Sequence, residues 1–272
     1  MNIRHNTLLA AAIAVSAVAA DTKAHADDTQ ARVVRISFSD GPPDAVGLEA
    51  VNAHLLKIGV RVSEVPVPAA ARPLIEPSRH RALTDDEQSQ LLDVFALDRT
   101  ALLDEIADAG RAPAVDGGGE LSISEANVPP YPKVYDMKAL DAPTVAFLMD
   151  KFGRLHVNSA DSGEGIDEVM TIVSGGPYTW FFGLEDHTIA KVRFDEVRDG
   201  DPAWRISYPG LSLHGGYFDA AHGLVVAHAH GPRTFVMRYE DETVSAPHLL
   251  GDNPWIDFTA DPPRLLDRAK GS

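Results

Sequence analysis

Residues 169–194 read VMTIVSGGPYTWFFGLEDHTIAKVRF. β-Branched and aromatic residues fill three short runs in this stretch, 169–173, 178–184 and 188–194, and turn-forming residues separate the runs. Such runs predict β-strands, and their close spacing predicts antiparallel pairing. More runs of the same kind follow at 204–208, 213–220, 224–230 and 235–240. The second half of the sequence therefore predicts an antiparallel β-barrel or β-sandwich.

The chain before this stretch alternates between strand and helix patterns. The predicted elements are strands at 32–37 and 60–67, which give a β-α-β start, and helices at 44–57, 85–95, 98–109 and 143–152. Thr84 and Glu87 have the spacing of a capping box, which predicts a helix start. A stretch rich in glycine and proline, 111–133, predicts a domain boundary. We expect an α+β protein with a mixed α/β and helical region at 27–133 and an antiparallel β domain at 134–272.

The first 26 residues have the features of a signal peptide. A basic start at Arg4 precedes an apolar run over 8–20, which is shorter than the about 20 residues needed to cross a bilayer. Residues 24–26 read Ala-His-Ala, the small-x-small pattern of a cleavage site. The sequence therefore predicts an exported protein, periplasmic or secreted, without membrane insertion in the mature form.

Charge and cysteine content narrow the possible functions. The chain has 24 basic and 40 acidic residues, a formal net charge of −16, which disfavours binding to nucleic acid. It has no cysteine, which excludes disulfides and thiolate metal sites. Any metal must be held by histidine, carboxylate or methionine side chains.

Four of the eleven histidines fall within a short segment: His214, His222, His228 and His230. If residues 213–230 form a hairpin with a three-residue loop at 221–223, then His214 lies opposite His230, and His228 shares their face. These three imidazoles could converge on a divalent transition metal such as Zn, Fe, Cu or Ni and leave a coordination position open. A shift of one residue would turn His214 to the other face. Ordinary buried or surface histidines are the alternative.

The stretch around these residues resembles a cupin, a family of small β-barrels that includes metal enzymes and binding proteins. Glu168 and Gly175 have the spacing that ends the first motif of the family, and Pro209-Gly210 followed by His214 resembles the second motif. The resemblance implies a β-barrel in which Glu168 and His214 are metal ligands. The sequence departs from the family where its first two histidines are expected, because Asp161 and Gly163 stand there.

Three classes of function remain open. The first is a metal-dependent hydrolase or oxygenase that acts on a small molecule, with Glu168 as a fourth ligand or as the catalytic general base. The second is a non-catalytic periplasmic protein that binds a metal or a small ligand. The third is a structural protein in which the histidines have no special role. A G-x-S-x-G nucleophile motif, a phosphate-binding loop and a dinucleotide-binding fingerprint are all absent from the sequence.

Overall fold

Two five-stranded antiparallel sheets face each other in the computed structural model, which describes residues 32–115, 131–244 and 247–271. The predicted signal peptide and most of the predicted domain boundary lie outside these described residues. In the described ranges the strands are β1 (Val34–Phe38), β2 (Ala45–Val46), β3 (Arg61–Val65), β4 (Lys133–Asp136), β5 (Val157–Ser159), β6 (Asp167–Gly175), β7 (Tyr178–Gly183), β8 (Ile189–Phe194), β9 (Ala203–Tyr208), β10 (His214–Tyr217), β11 (Gly223–His230), β12 (Val236–Arg238), β13 (Ile256–Asp257) and β14 (Arg264–Leu265). The helices are α1 (Leu48–Leu55), α2 (Arg72–Ser78), α3 (Asp85–Val94), α4 (Arg99–Asp108) and α5 (Ala142–Gly153).

The strand order defines the two sheets. The front sheet has the order β10-β7-β8-β1-β2, and the back sheet has the order β3-β9-β6-β11-β4. Two small pairs, β12 with β5 and β13 with β14, lie outside them. Of the barrel and the sandwich that the sequence leaves open, the two separate sheets correspond to the sandwich.

The main hydrophobic core fills the space between the sheets. The front sheet contributes Trp180 and Phe182, and the back sheet contributes Met170, Ile172 and Ile206. Alternate residues of each strand face this core, because side chains of a strand point to opposite faces in turn. The outer face of the back sheet packs against α2 and α3, and the outer face of the front sheet packs against α5 and the C-terminal segment.

The predicted strands and helices are present near their expected positions, and the capping box at Thr84 and Glu87 lies at the start of α3, but α2, β4 and β5 were not predicted. The β-α-β start is different, because β1 joins the front sheet while β3 joins the back sheet. Residues 32–272 form one compact unit, and strands from both sides of the predicted boundary contribute to it. Among the described residues, no helix is long and apolar enough to cross a membrane.

Candidate functional site

A cavity of ≈ 40 Å³, partly open to solvent, lies between the two sheets. We call it the inner cavity. Its walls are mainly aromatic, and its polar groups are imidazole, amide, carboxylate and phenol. The lining residues are Tyr131, Tyr135, Phe152, His156, Asn158, Glu168, Met170, Trp180, Tyr208, His214, Gly215, Gly216, Phe218, Val225, Phe235 and Met237.

His156 and His214 bring two imidazoles together in this cavity. The backbone of His156, which directly precedes β5, pairs with that of His214 at the start of β10, and the two ring centroids are 4.5 Å apart. Each ring is anchored in the same way, with Nδ1 at 2.7 Å from the backbone carbonyl oxygen two residues earlier, Arg154 or Ser212. A carbonyl oxygen only accepts, so Nδ1 carries the proton and donates it. Nε2 of both rings is therefore the nitrogen with a free lone pair.

Burial keeps His156 neutral. The pKa of His156 is well below its ordinary value, first because burial disfavours the charged imidazolium and second because of the charge of His214. A neutral ring is the form that binds a metal ion.

Glu168 and Asn158 supply oxygen and amide groups beside the two rings. Glu168 lies on β6 in the back sheet, where it pairs with Tyr208 and Ala229, and its Oε2 is 3.5 Å from His214 Nε2. Asn158 Nδ2 donates to Glu168 Oε2 at 2.6 Å and lies 3.0 Å from His214 Nε2. The site thus brings together His214 of the front sheet, Glu168 of the back sheet and Asn158 of the short strand β5.

Two tyrosines surround the carboxylate of Glu168. Tyr131 donates its hydroxyl to Glu168 Oε1 at 2.6 Å. The pKa values of Tyr131 and Tyr208 are raised well above the ordinary value, first by burial and then by the negative charge of Glu168. Both phenols therefore stay protonated at neutral pH, and Tyr131 remains a donor to the carboxylate.

The donor set fits a divalent ion. Asn158 Oδ1 is buried and has no hydrogen-bond partner among the described residues. Turning the amide by 180° would exchange its nitrogen and oxygen, so that an amide oxygen, Glu168 Oε2 and His214 Nε2 would face one another. Donors about 2.1 Å from one ion stand about 3.0–3.4 Å apart at right or tetrahedral angles. The separations from His214 Nε2 are 3.0 and 3.5 Å, whereas the amide and Glu168 Oε2 are 2.6 Å apart and would have to move apart to bind the same ion.

Asn158 is needed to complete this set. In residues 32–115, 131–244 and 247–271, no three histidine, cysteine, aspartate or glutamate side chains are grouped closely enough to hold an ion by themselves. The donor atoms that lie close together are therefore those of Asn158, Glu168 and His214, while His156 lies against the ring of His214 and is the candidate for a fourth ligand.

The predicted hairpin of His214 with His228 and His230 is wrong. β10 pairs with β7, so that His214 lies opposite Phe182, whereas β11 pairs with β6 in the other sheet. His228 and His230 alternate with Ala227 and Ala229, which face the core, so both imidazoles point to the outer face of the back sheet. The structure therefore brings Glu168 and His214 together but does not bring His228 or His230 to them.

Both outer histidines are buried without a visible role. His228 Nδ1 and both ring nitrogens of His230 have no hydrogen-bond partner among the described residues. The pKa of His228 is about 4, chiefly because of burial and also because of the charge of Arg205. At neutral pH His228 is therefore uncharged, and it lies between the back sheet and the helices that cover the outer face of that sheet.

Sequence reasoning missed His156 and Asn158. It gave His156 no role and placed the first motif of the cupin pattern at Asp161 and Gly163. The missed signal is His156-x-Asn158 ahead of Glu168, which repeats the alternation of a His-x-His pair but with nine residues between Asn158 and Glu168. Most of these nine residues form a turn and an irregular connection between β5 and β6, which lengthens the spacing.

No protein-family model matches the chain, and no curated protein matches its sequence significantly. Among solved structures, the fold is similar to "Acireductone dioxygenase from Bacillus anthracis with cadmium ion in active center", with a TM-score of 0.51 and 19% sequence identity. The match covers 77% of this chain and 99% of that chain. The likeness shows that this chain has a fold similar to that of the dioxygenase.

Proposed function

We propose that this chain is a metal-dependent enzyme that acts on a small molecule in the inner cavity. One observation carries the proposal, namely that two buried imidazoles are in ring contact with each Nδ1 bound to a backbone carbonyl, and that Nε2 of one of them, His214, lies beside a carboxylate and an amide. Histidines that bind metals nearly always have this second hydrogen bond, because it fixes the tautomer and turns Nε2 toward the ion. The cadmium ion in the similar dioxygenase structure supports a divalent metal.

Four side chains would hold the ion: His156 and His214 through Nε2, Glu168 through Oε2 and Asn158 through Oδ1. A bound divalent metal would supply a Lewis acid or a centre for oxygen chemistry. Tyr131 would keep Glu168 oriented through its hydrogen bond to Oε1. The aromatic walls would exclude water and hold an apolar part of the substrate. Zn, Fe, Cu and Ni all accept such ligands, with imidazole favouring them over Mg or Ca.

We also propose that the protein is exported, periplasmic or secreted, on the evidence of the leader pattern in residues 1–26. The net charge of −16 supports a small-molecule ligand over a nucleic acid.

A second candidate is a metal-free binding protein. The hydrogen bonds of Asn158 favour it, because one amide nitrogen already lies within bonding distance of both Glu168 Oε2 and His214 Nε2. A polar cluster satisfied in this way could orient a ligand without an ion.

Elemental analysis of the purified chain, made without a metal-affinity tag, distinguishes the two candidates. Two double variants serve as a matched pair, His156→Ala/His214→Ala in the cavity and His228→Ala/His230→Ala on the outer face. Each removes two buried imidazoles, and circular dichroism checks that both variants fold. We expect about one ion per chain in the wild type and in the outer-face variant, and none in the cavity variant.

Two results would reject the metal-dependent enzyme. Wild-type protein that neither carries nor takes up Zn, Fe, Cu or Ni would leave the metal-free binding protein as the better account. A folded outer-face variant that loses its metal, beside a cavity variant that keeps it, would place the ion at His228 and His230 instead.

A further inference from the structure

A groove lies directly outside the inner cavity, between α3, β4 and α5. Its floor is apolar, with Val134, Leu140 and Leu148, and Phe147 on its rim is 59% exposed. Two lysines, Lys133 and Lys151, stand beside these apolar residues. We call this the lysine groove.

The lysine groove and the inner cavity share a wall. Tyr135 and Phe152 line both spaces. With Phe218 they form a cluster of three rings, whose centroids are 6.3 to 6.4 Å apart. Aromatic side chains at the junction of two spaces can move by rotation about χ1 and χ2 without loss of backbone hydrogen bonds. The side chains of Tyr135 and Phe152 therefore stand between a small molecule in the groove and the cavity.

The two lysines are not neutralised by the protein. Among the described residues, no carboxylate forms an ion pair with Lys133 or Lys151; instead, Lys133 Nζ lies 4.6 Å from the ring centre of Tyr135, and Lys151 Nζ lies 5.7 Å from that of Phe147. The acidic residue in the groove, Asp136, is engaged elsewhere, since its carboxylate accepts from the backbone nitrogens of Leu83 and Lys138. In a chain of net charge −16, two such cations mark a local positive site.

We propose that the lysine groove is the entrance to the inner cavity and that Lys133 and Lys151 select small planar carboxylates as its ligands. This inference rests on the proposed metal-dependent function. The lysines attract the carboxylate and hold it at the groove, the aromatic wall receives the planar part, and the polar end of the cavity receives the remaining oxygen groups.

The test uses two planar chelators that differ in charge. Pyridine-2,6-dicarboxylate is an anion, and 1,10-phenanthroline is neutral. Each is mixed with the Zn²⁺-loaded full chain, and the rate of metal removal is measured by stopped flow. In Lys133→Gln/Lys151→Gln we expect removal by the dicarboxylate to slow about tenfold, while removal by phenanthroline stays the same. Lys138→Gln, an exposed lysine next to the groove, should leave both rates unchanged.

A second variant tests the route. Thr144 is exposed and lines the groove, so Thr144→Trp should obstruct it and slow both chelators, whereas Thr100→Trp on α4 should slow neither. The entrance proposal is overturned if Thr144→Trp leaves both rates unchanged. The carboxylate preference is overturned if the lysine variant slows both chelators equally or slows neither. A rate of Zn²⁺ release that does not depend on the chelator or its concentration would overturn it as well. A chain that binds no Zn²⁺ at all would instead reject the proposed function.

Discussion

At the scale of single residues, Tyr131 orients the carboxylate of Glu168 in the candidate site. Its hydroxyl donates to Glu168 Oε1 at 2.6 Å inside a buried region. Tyr131→Phe removes that donor and leaves a carboxylate oxygen unpaired, so we expect metal affinity to fall about 10- to 100-fold. Competition with a chromophoric chelator measures the change. Tyr217→Phe is the control, because it removes an equally buried hydroxyl that donates to Pro263 far from the cavity, and equal losses in both variants would contradict the role of Tyr131.

Asn158 separates the metal-dependent and metal-free accounts of the site. Asn158→Asp places a second carboxylate about where Nδ2 now lies 2.6 Å from Glu168 Oε2. Without metal, loss of this hydrogen bond and repulsion between the carboxylates should lower the free energy of unfolding by about 1–3 kcal/mol. With Zn²⁺ the variant should gain more stability than the wild type, because a carboxylate is a stronger ligand than an amide. Urea unfolding with and without Zn²⁺ measures both effects. If Zn²⁺ does not restore the free energy of unfolding that Asn158→Asp loses, then Asn158 acts in the site as a hydrogen-bond donor and not as a metal ligand.

Lys133 should titrate close to physiological pH. Burial lowers its pKa from the ordinary value to about 8, since the half-buried ammonium loses part of its hydration. Lys133 is therefore mostly charged at pH 7 and mostly neutral above pH 9, and its attraction for a carboxylate should be lost as the pH rises through about 8. Competitive acetylation followed by mass spectrometry gives the midpoint. A midpoint for Lys133 no lower than that of exposed Lys138 would contradict the expectation.

At the scale of secondary-structure elements, local sequence patterns predicted most of the longer strands and helices, missed α2, β4 and β5, and did not predict which strands pair. The runs that became β10 and β11 are strands as predicted. The short connection between them predicts a hairpin, yet β10 joins β7 and β11 joins β6. Turn residues determine the geometry of a tight loop only if the flanking strands remain in one sheet, and here the chain crosses from the front sheet to the back sheet. The error in pairing is what assigned His228 and His230 to the site.

The contact between α5 and β10 positions His156. A Cβ atom on Gly215 would lie 3.1 Å from Phe152 O and 3.5 Å from Arg154 O, and Arg154 O is the anchor of His156 Nδ1. Gly215→Val should push this segment outward, lower the free energy of unfolding by about 1–3 kcal/mol and weaken metal binding at least about tenfold. Ala71→Leu overpacks the buried cluster behind the back sheet and should lower stability with no effect on the metal. Similar metal affinities in the two variants would show that Gly215 matters for packing only.

At the scale of the whole molecule, the candidate ligands connect the two halves of the sandwich. His214 belongs to the front sheet, Glu168 belongs to the back sheet, and Asn158 belongs to β5, which pairs with neither. The resemblance to the cupin motifs identified Glu168 and His214, but the closeness of His156 depends on a backbone bridge to His214 that no local pattern predicts. A site built in this way exists only when both sheets are in place.

A bound metal should therefore stabilise both sheets together. An ion that binds only the folded chain adds about 2.7 kcal/mol to the free energy of unfolding at a free concentration 100 times its Kd. Because its ligands come from β6 and β10, amide hydrogen exchange should slow in both strands when Zn²⁺ is added, while β13 and β14, which form a separate pair, serve as the internal reference. Hydrogen–deuterium exchange with mass spectrometry measures all of these segments in one sample. Protection confined to β11, around His228 and His230, would place the ion on the outer face, and protection of one sheet alone would mean that the ion does not join Glu168 to His214.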